Sequence, residues 1–449
     1  MSAFDLIIRG GTIVTHDGER RADVGISHQT IVALGPNLPG NAREEIDATG
    51  LHIFPGLIDS HVHFNEPGRT DWEGIETGSR ALAAGGATIF FDMPLNAHPP
   101  TCDAESFDLK LAAATRSSLT DFALWGGLVP QNPDRLEELA GRGVIGFKAF
   151  MSNSGIEDFS RVGETTLREG MARAARLNLP VAVHAESETL THRLAAERIA
   201  GGRLSVRDYL DSRPVAAELE AIRRAIELAG GTRCALHVVH VSSGQGVSLI
   251  AAAKAKGVDV TCETCPHYLV LTEEDVEQLG AIAKCAPPLR SPATAAELWQ
   301  HVIAGDVTTI GSDHSPSPPE MKQDKSFFKV WGGISGGQHT LPLLLESRYK
   351  NSLALSLIAK LTSFNVAERF RLPKKKGRLE NGADADMALV DLRATHTVRP
   401  EELFYRHRQS PYLGRALTGR VIQTILRGKT IFKDGNITGT NQGQLLKPL

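Results

Sequence analysis

The sequence predicts an α/β protein, a (β/α)8 TIM-like barrel with a small β-sheet domain formed by both termini. Between residues 55 and 375, brief apolar segments alternate with amphipathic helical stretches. The two ends of the chain instead show short alternating strands broken by Gly, Asp and Asn. A length of 449 residues also exceeds that of one ordinary domain. We therefore expect a β-sandwich-like domain from residues 1–54 with 376–449, and a barrel from residues 55–375.

The small domain is predicted from a repeat that joins the two ends of the chain. Residues 9–18, RGGTIVTHDG, return near the far end as residues 427–435, RGKTIFKDG, one residue shorter. Because similar hairpins occur at both termini, we expect both to contribute strands to one sheet. The strongest run of like charge, Lys374-Lys375-Lys376, is expected to form a solvated turn.

Eight segments are predicted as barrel strands because they are short and apolar and alternate with helical stretches. They are residues 58–59, 87–91, 123–128, 146–150, 181–184, 235–241, 258–261 and 308–311. In a barrel of this kind the active site lies at the carboxyl ends of the strands. Polar residues that close these strands are therefore the candidates for chemistry.

Composition argues against several kinds of partner. The 49 basic and 52 acidic residues are spread along the chain and leave a net charge of −3, so we expect no nucleic-acid and no membrane partner. The amino terminus lacks the pattern of a signal peptide, and no apolar run reaches the roughly 18 residues of a membrane span. Five cysteines without framework spacing fit a reducing compartment. These features predict a cytoplasmic protein.

Four histidines and one aspartate close predicted strands in positions suited to metal ligation. His61 and His63 lie two residues apart, so both imidazoles can share one face of the first strand. His184 and His240 close the fifth and sixth strands, and Asp313 follows the eighth. Taken singly, each fits a structural role or, for the aspartate, a solvated loop. Their common place at the carboxyl ends of the strands favours a metal site.

Two further polar residues lie within apolar strands. Lys148 is in the fourth strand, where an ammonium would lose its hydration and its pKa would fall. A neutral amine can add carbon dioxide, and the resulting carbamate could bridge two metal ions. A lysine that snorkels to solvent or pairs with an acid explains the residue equally well. His237, three residues before His240, is expected on the opposite face of its strand, packed against the helical layer.

The sequence resembles the amidohydrolase superfamily, and within it the cyclic amidases: dihydroorotases, hydantoinases and allantoinases. The resemblance covers nearly the full chain. It is tightest to the allantoinases, in residues 61–74, 92–96, 261–268, 312–322 and 331–334. It implies a metal-dependent hydrolase that opens a cyclic amide, assembled as a homotetramer.

The resemblance also implies a set of metal ligands. One divalent ion would be bound by His61, His63 and Asp313, a second by His184 and His240, and N6-carboxylated Lys148 would bridge both. Catalytic roles fall to Lys148 and to Asp313, the latter as general base and then acid. Zinc is the expected metal, and cobalt, manganese or nickel would suit the same ligands. Because all six positions are filled, the resemblance argues against a non-catalytic scaffold.

Departures from the neighbouring families predict the substrate. Dihydroorotases carry an Arg at the position of Asn65, where a guanidinium can grip a ring carboxylate, and hydantoinases usually carry a Tyr at the position of Asn153. The resemblance therefore implies a neutral small-molecule cyclic ureide, with hydrolysis of (S)-allantoin to allantoate in purine catabolism. Candidate substrate contacts are Asn65, Asn96 and Ser315. A hydantoinase or dihydropyrimidinase activity is the main alternative, and a non-catalytic scaffold is the second.

Overall fold

The computed structural model describes residues 4–449, apart from the side chain of Tyr349. Its N-terminal part consists of five strands without a helix between them. These strands are β1 (Phe4–Thr15), β2 (Gly18–Ser27), β3 (Thr30–Gly35), β4 (Ala42–Asp47) and β5 (His52–Pro55).

The central part of the chain alternates strands with helices, as the sequence predicts. The strands are β6 (Leu57–Val62), β7 (Ala87–Asp92), β8 (Asp121–Leu124), β9 (Gly126–Gly127), β10 (Phe147–Phe150), β11 (Val181–His184), β12 (Leu236–Val238), β13 (Val260–Thr264) and β14 (Thr309–Ile310). The helices are α1 (Ile75–Ala84), α2 (Ala104–Ser117), α3 (Leu136–Arg142), α4 (Glu164–Arg176), α5 (Glu188–Ala200), α6 (Val206–Asp211), α7 (Val215–Thr232), α8 (Gly244–Ala255), α9 (Pro266–Val270), α10 (Glu273–Leu279), α11 (Pro292–Ala304), α12 (Thr340–Asn351), α13 (Leu355–Ala359) and α14 (Asn365–Arg369). Among residues 4–449, no helix is both long enough and apolar enough to span a membrane.

Both ends of the chain contribute to one sheet, as the repeated hairpin predicts. The C-terminal strands are β15 (Met387–Thr397), β16 (Ala416–Leu426), β17 (Lys429–Lys433) and β18 (Asn436–Ile437). Within the described residues the sheet runs in the order β18-β17-β16-β15-β5-β1-β2-β3, with β4 beside β1. Strand β5 joins the halves, since it pairs with β15 antiparallel and with β1 parallel. The predicted boundaries of this domain stay a prediction.

The parallel strands close into a barrel. Strands β8 and β9 are separated by Trp125 alone, so β6 to β14 supply eight barrel positions within residues 4–449. The last position meets the first, because Val62 bridges in parallel to His314 and the backbone N–H of His63 donates to the His314 carbonyl at 2.8 Å. The chain just after β14 is thereby held beside the end of β6.

His237 lies inside the barrel, and the prediction that it packs against the helices is wrong. Its neighbours Leu236 and Val238 belong to the core shared with the helices, so strand alternation turns His237 inward. There its Nδ1 lies 2.8 Å from the Thr261 hydroxyl. The prediction assumed a strand running through residue 241, but β12 ends at Val238, and alternation cannot be counted back from His240.

Lys376 is buried, so the prediction of a solvated turn is wrong for this member of the lysine triplet. Its Nζ lies 2.8 Å from a carboxylate oxygen of each of Asp121, Asp384 and Asp386. Asp121 begins β8 in the barrel, and the other two precede β15 in the sheet. Arg427 also pairs with Asp121. The charge pattern of the sequence does not show that carboxylates distant in the chain converge on this lysine.

We expect Lys376→Met to destabilise the protein by about 3–5 kcal/mol, because it leaves buried carboxylates without their shared cation. Lys375→Met is the matched control, since Lys375 also pairs with Asp384 but its side chain is 54% exposed. The control should cost less than about 1 kcal/mol. Differential scanning calorimetry of both variants measures the effect, and equal shifts in Tm would contradict this account of the cluster.

Candidate metal centre

A cavity of about 320 Å³ opens at the carboxyl ends of the barrel strands. Five of the six residues predicted to bind metal line it, namely His61, His63, His184, His240 and Asp313. The sixth, Lys148, is completely buried, and its charge helps to lower the pKa of both His184 and His240. The structure therefore brings five of the six residues to one cavity wall and the sixth close to two of them, although the sequence scatters them between positions 61 and 313.

The first group consists of His61, His63 and Asp313. The Nε2 atoms of the two histidines each lie 3.3 Å from Asp313 Oδ1. One donor atom from each of the three residues lies within 4.8 Å of the others. Nitrogen and oxygen donors at this spacing suit a single divalent ion.

Electrostatics set the protonation states in this group. Burial alone would raise the pKa of Asp313, but the charge of His61 and the hydrogen bond from His63 outweigh it, and the pKa falls well below its usual value. Burial lowers the pKa of His63. At neutral pH the group thus presents a carboxylate and a neutral imidazole, which are the forms that bind metal.

The second group is the pair His184 and His240. His184 Nδ1 lies 3.1 Å from His240 Nε2, and burial lowers the pKa of both rings, that of His240 strongly. This pair adjoins the first group, because the ring centroids of His61 and His240 are 5.5 Å apart. Two neutral imidazoles therefore direct nitrogen atoms to one place beside the first group.

Within residues 4–449, Lys148 neither reaches solvent nor forms an ion pair with an acid, which are the two structural explanations that its sequence allows. Its side chain does not reach solvent, and its Nζ has no hydrogen-bond partner among the described residues. The pKa falls to about 8 because burial outweighs the nearby charges of Asp313 and Glu263. The amine lies 5.1 Å from the centroid of the Phe150 ring. The lowered pKa increases the fraction of neutral amine, which is the form that can add carbon dioxide.

Two buried glutamates orient the histidines, and sequence reasoning missed both. Glu263 Oε1 lies 2.7 Å from His61 Nδ1, and Glu186 Oε2 lies 2.8 Å from His184 Nε2. Because a carboxylate accepts, each imidazole donates from that nitrogen and leaves the other for the cavity. Histidines that bind metal typically donate in this way to a carboxylate. A signal existed, since Glu263 is the one charged residue in its strand and Glu186 follows His184 by two residues.

The candidate substrate contacts divide into two kinds. Asn96 and Ser315 line the cavity, together with Asn153. Asn65 is buried and is not among the lining residues, and its Nδ2 lies 3.4 Å from the Pro316 carbonyl. The predicted contact between Asn65 and a substrate thus does not correspond to the wall of this cavity. The sequence signal for this residue was a family difference, which does not give the direction of its side chain.

Comparison with known proteins bears on the chemistry of this site. Residues 52–431 match the model of the amidohydrolase family. An allantoinase of Rubrobacter xylanophilus is 58% identical over 100% of this chain and 98% of its own length. An allantoinase of Deinococcus radiodurans is 53% identical over 99% of each chain.

Solved structures share the fold throughout. The L-hydantoinase of Arthrobacter aurescens has a TM-score of 0.96 at 33% identity and covers 99% of this chain and 100% of its own. The dihydropyrimidinase of Brevibacillus agri NCHU1002 has a TM-score of 0.92 at 30% identity, with 98% of each chain covered. The predicted barrel with its terminal β-sheet domain is thereby confirmed. The chain belongs to the amidohydrolase family, within the group of its relatives that are named allantoinases.

Proposed function

We propose that this protein hydrolyses the cyclic amide bond of (S)-allantoin to give allantoate in purine catabolism. The observation that carries the proposal is that two histidine groups and Asp313 line one cavity, while the charge of the buried Lys148 acts on His184 and His240 beside it. The substrate follows from the relatives named allantoinase, which match this chain from end to end at 53–58% identity. The non-catalytic scaffold has no support, because every predicted ligand position holds a competent side chain.

The donor set fits two divalent metal ions. His61, His63 and Asp313 would hold one, His184 and His240 the other, and a carbamate on Lys148 would join both. Two features support this fit: the unpartnered buried Nζ of Lys148, and the imidazoles held by carboxylates on the side away from the cavity. When bound, such ions lower the pKa of a water molecule and polarise a carbonyl group.

Asp313 is the residue to which we assign the proton transfer. Its carboxylate is ionised at neutral pH and lies in the cavity wall beside both histidine groups. We propose that it accepts a proton from the attacking water and then delivers that proton to the departing ring nitrogen.

The charges of the wall favour a neutral substrate. Arg213 lines the cavity, but its guanidinium already makes two hydrogen bonds to the Glu186 carboxylate. Lys284 also lines the cavity, and its ammonium donates to backbone carbonyls. Because these cations are engaged, a carboxylate on the substrate ring would have to compete for them. The polar side chains of Asn96 and Ser315 suit the amide groups of a ureide.

Three finer predictions belong to this proposal. Zinc is the metal that we propose, although His and carboxylate ligands also suit cobalt, manganese or nickel. The homotetramer is implied by resemblance to the family, and light scattering of the purified protein measures it. The cytoplasmic location is an expectation from the sequence.

A substrate panel at defined metal content tests the proposed reaction. We expect kcat/KM for (S)-allantoin to exceed that for 5-substituted hydantoins, dihydrouracil and dihydroorotate by at least about 10-fold, because a site matched to one set of polar groups discriminates by more than 1 kcal/mol. The main alternative is a hydantoinase, which the fold shared with the Arthrobacter aurescens L-hydantoinase favours. Faster hydrolysis of hydantoins than of allantoin would establish that alternative.

Lys148→Ala tests the bridging role. We expect it to lose metal and more than about 100-fold of the activity, which exceeds the usual loss from removing a group that only orients a ligand. Short carboxylic acids added to the variant should restore part of both, because they supply the missing carboxylate. Metal analysis and turnover measure the result, with Lys374→Ala at an exposed lysine as control. Normal turnover in Lys148→Ala would contradict the proposal that a carbamate on Lys148 joins the two metal ions.

Glu263→Gln and Glu186→Gln test the role of the carboxylates behind the histidines. Each should weaken metal binding by about 10- to 100-fold, because an amide no longer holds the imidazole as the carboxylate does. Titration of the metal-free variants with zinc measures the affinity. Glu274→Gln, at an exposed position on α10, is the control. Unchanged affinity in both variants would show that these glutamates serve packing instead.

A further inference from the structure

One wall of the cavity is a loop without helix or strand, residues 323–333, which we call the cavity loop. Its members Phe328, Val330 and Trp331 line the cavity. At the far end of the loop, Gly333 has a φ of 147°, and a Cβ there would lie 2.2 Å from the Ser315 carbonyl oxygen. The loop is thus pressed directly against a residue that we expect to contact substrate.

Lys284 holds the middle of the cavity loop. Its Nζ donates to the carbonyl of Phe327 at 2.6 Å, to that of Val330, and to that of Phe328 at 3.5 Å. The ammonium lies 4.4 Å from the centroid of the Tyr209 ring, and the Lys284 carbonyl accepts from the Gly333 N–H at 2.7 Å. An ammonium has three donors, and all three are used on this loop.

Lys322 holds the end of the same loop. Its Nζ donates to the carbonyl of Gly333 at 2.7 Å and to that of Trp331 at 3.1 Å. The Trp331 N–H donates to the Met321 carbonyl at 2.9 Å, which closes the loop back on its start. Two lysines from either side therefore bind five carbonyls between residues 327 and 333.

Two ammonium groups at these positions are less favourable in free energy than apolar side chains would be. Lys284 is buried and Lys322 is partly buried, and the loss of hydration lowers the pKa of both to about 7. The charges that act on them include no carboxylate from the described residues. A buried cation without a counter-ion is unfavourable, and an apolar side chain of similar size would fill the space at lower cost. What an apolar side chain cannot do is donate to several carbonyls of a loop that lacks regular hydrogen bonding.

We propose that Lys284 and Lys322 are positioning residues, whose ammonium groups hold the cavity loop against the active-site cavity and thereby set substrate affinity. Phe328, Val330 and Trp331 then stand at fixed places around the ring substituent of the substrate. The effect on affinity rests on the proposed function, whereas the effect on the loop does not.

The experiment compares Lys284→Met and Lys322→Met with wild type and with Lys374→Met, all full-length and metal-loaded. The first measurement is trypsin cleavage after Lys325 and Lys329, two exposed lysines of the loop that every variant retains. We expect cleavage there to be at least about 10-fold faster in the first two variants, because losing charge-assisted hydrogen bonds raises the population of the open loop. Mass spectrometry identifies the cleaved bonds, and the control should match wild type.

The second measurement is the division between KM and kcat with the best substrate of the panel. We expect KM to rise by about 10-fold or more and kcat to change less, since the loop contributes binding and not the reacting groups. Proteolysis needs no substrate, so its result stands even if allantoin is not hydrolysed. The substrate panel therefore tests the proposed function, and the rate of trypsin cleavage tests this inference separately.

Wild-type cleavage rates and wild-type KM in both variants would overturn the inference. If Lys284→Met does not fold, Lys322→Met carries the same test, because its side chain is only partly buried. Loss of the fold in both variants would also overturn it, since the ammonium groups would then support the whole barrel and not this loop.

Discussion

The contact between the first and last barrel positions is the constraint on which the site depends. The His63 N–H donates to the His314 carbonyl, and the Ser312 N–H donates to Asp59 Oδ1 at 2.9 Å. These bonds hold residues 61–63 beside Asp313, although the whole barrel separates them in the chain. Without closure, the two histidines and the aspartate would lie at opposite edges of an open sheet.

Closure alone would leave the histidine rings free to turn, and buried carboxylates prevent this. Glu263 fixes His61 and also accepts a hydrogen bond from Ser60, while Glu186 fixes His184 and is itself held by Arg213. Desolvation would normally protonate such acids, yet Arg213 and His184 keep the pKa of Glu186 low, and interactions with His61 and His237 do the same for Glu263. The buried carboxylates therefore fix the orientation of the His61 and His184 rings without any bound metal or substrate.

The barrel and the candidate residues that close its strands could be predicted from the sequence, because both are signalled by local patterns. Short apolar strands and the polar residues that close them are visible in a window of a few residues. The partners of Lys376, the carboxylate behind each histidine and the loop held by Lys284 are not visible in this way. Each joins residues that are distant in the chain, and a sequence records their types without recording that they meet.

Side-chain direction just beyond the strands is the other part that pattern reasoning could not supply. His240, Asp313, Asn65 and Asn96 all have positive φ values, between 42° and 69°. This left-handed conformation costs a residue with a Cβ roughly 1–2 kcal/mol, so it persists where the surrounding fold imposes it. The alternation of inward and outward side chains predicts direction within a strand, but not for the residues that follow it at the rim of the barrel. The left-handed residues then turn individual side chains, inward to the cavity for His240 and Asp313, and away from its wall for Asn65. The same left-handed conformation thus occurs at residues whose side chains line the cavity, such as His240 and Asp313, and at Asn65, whose side chain does not.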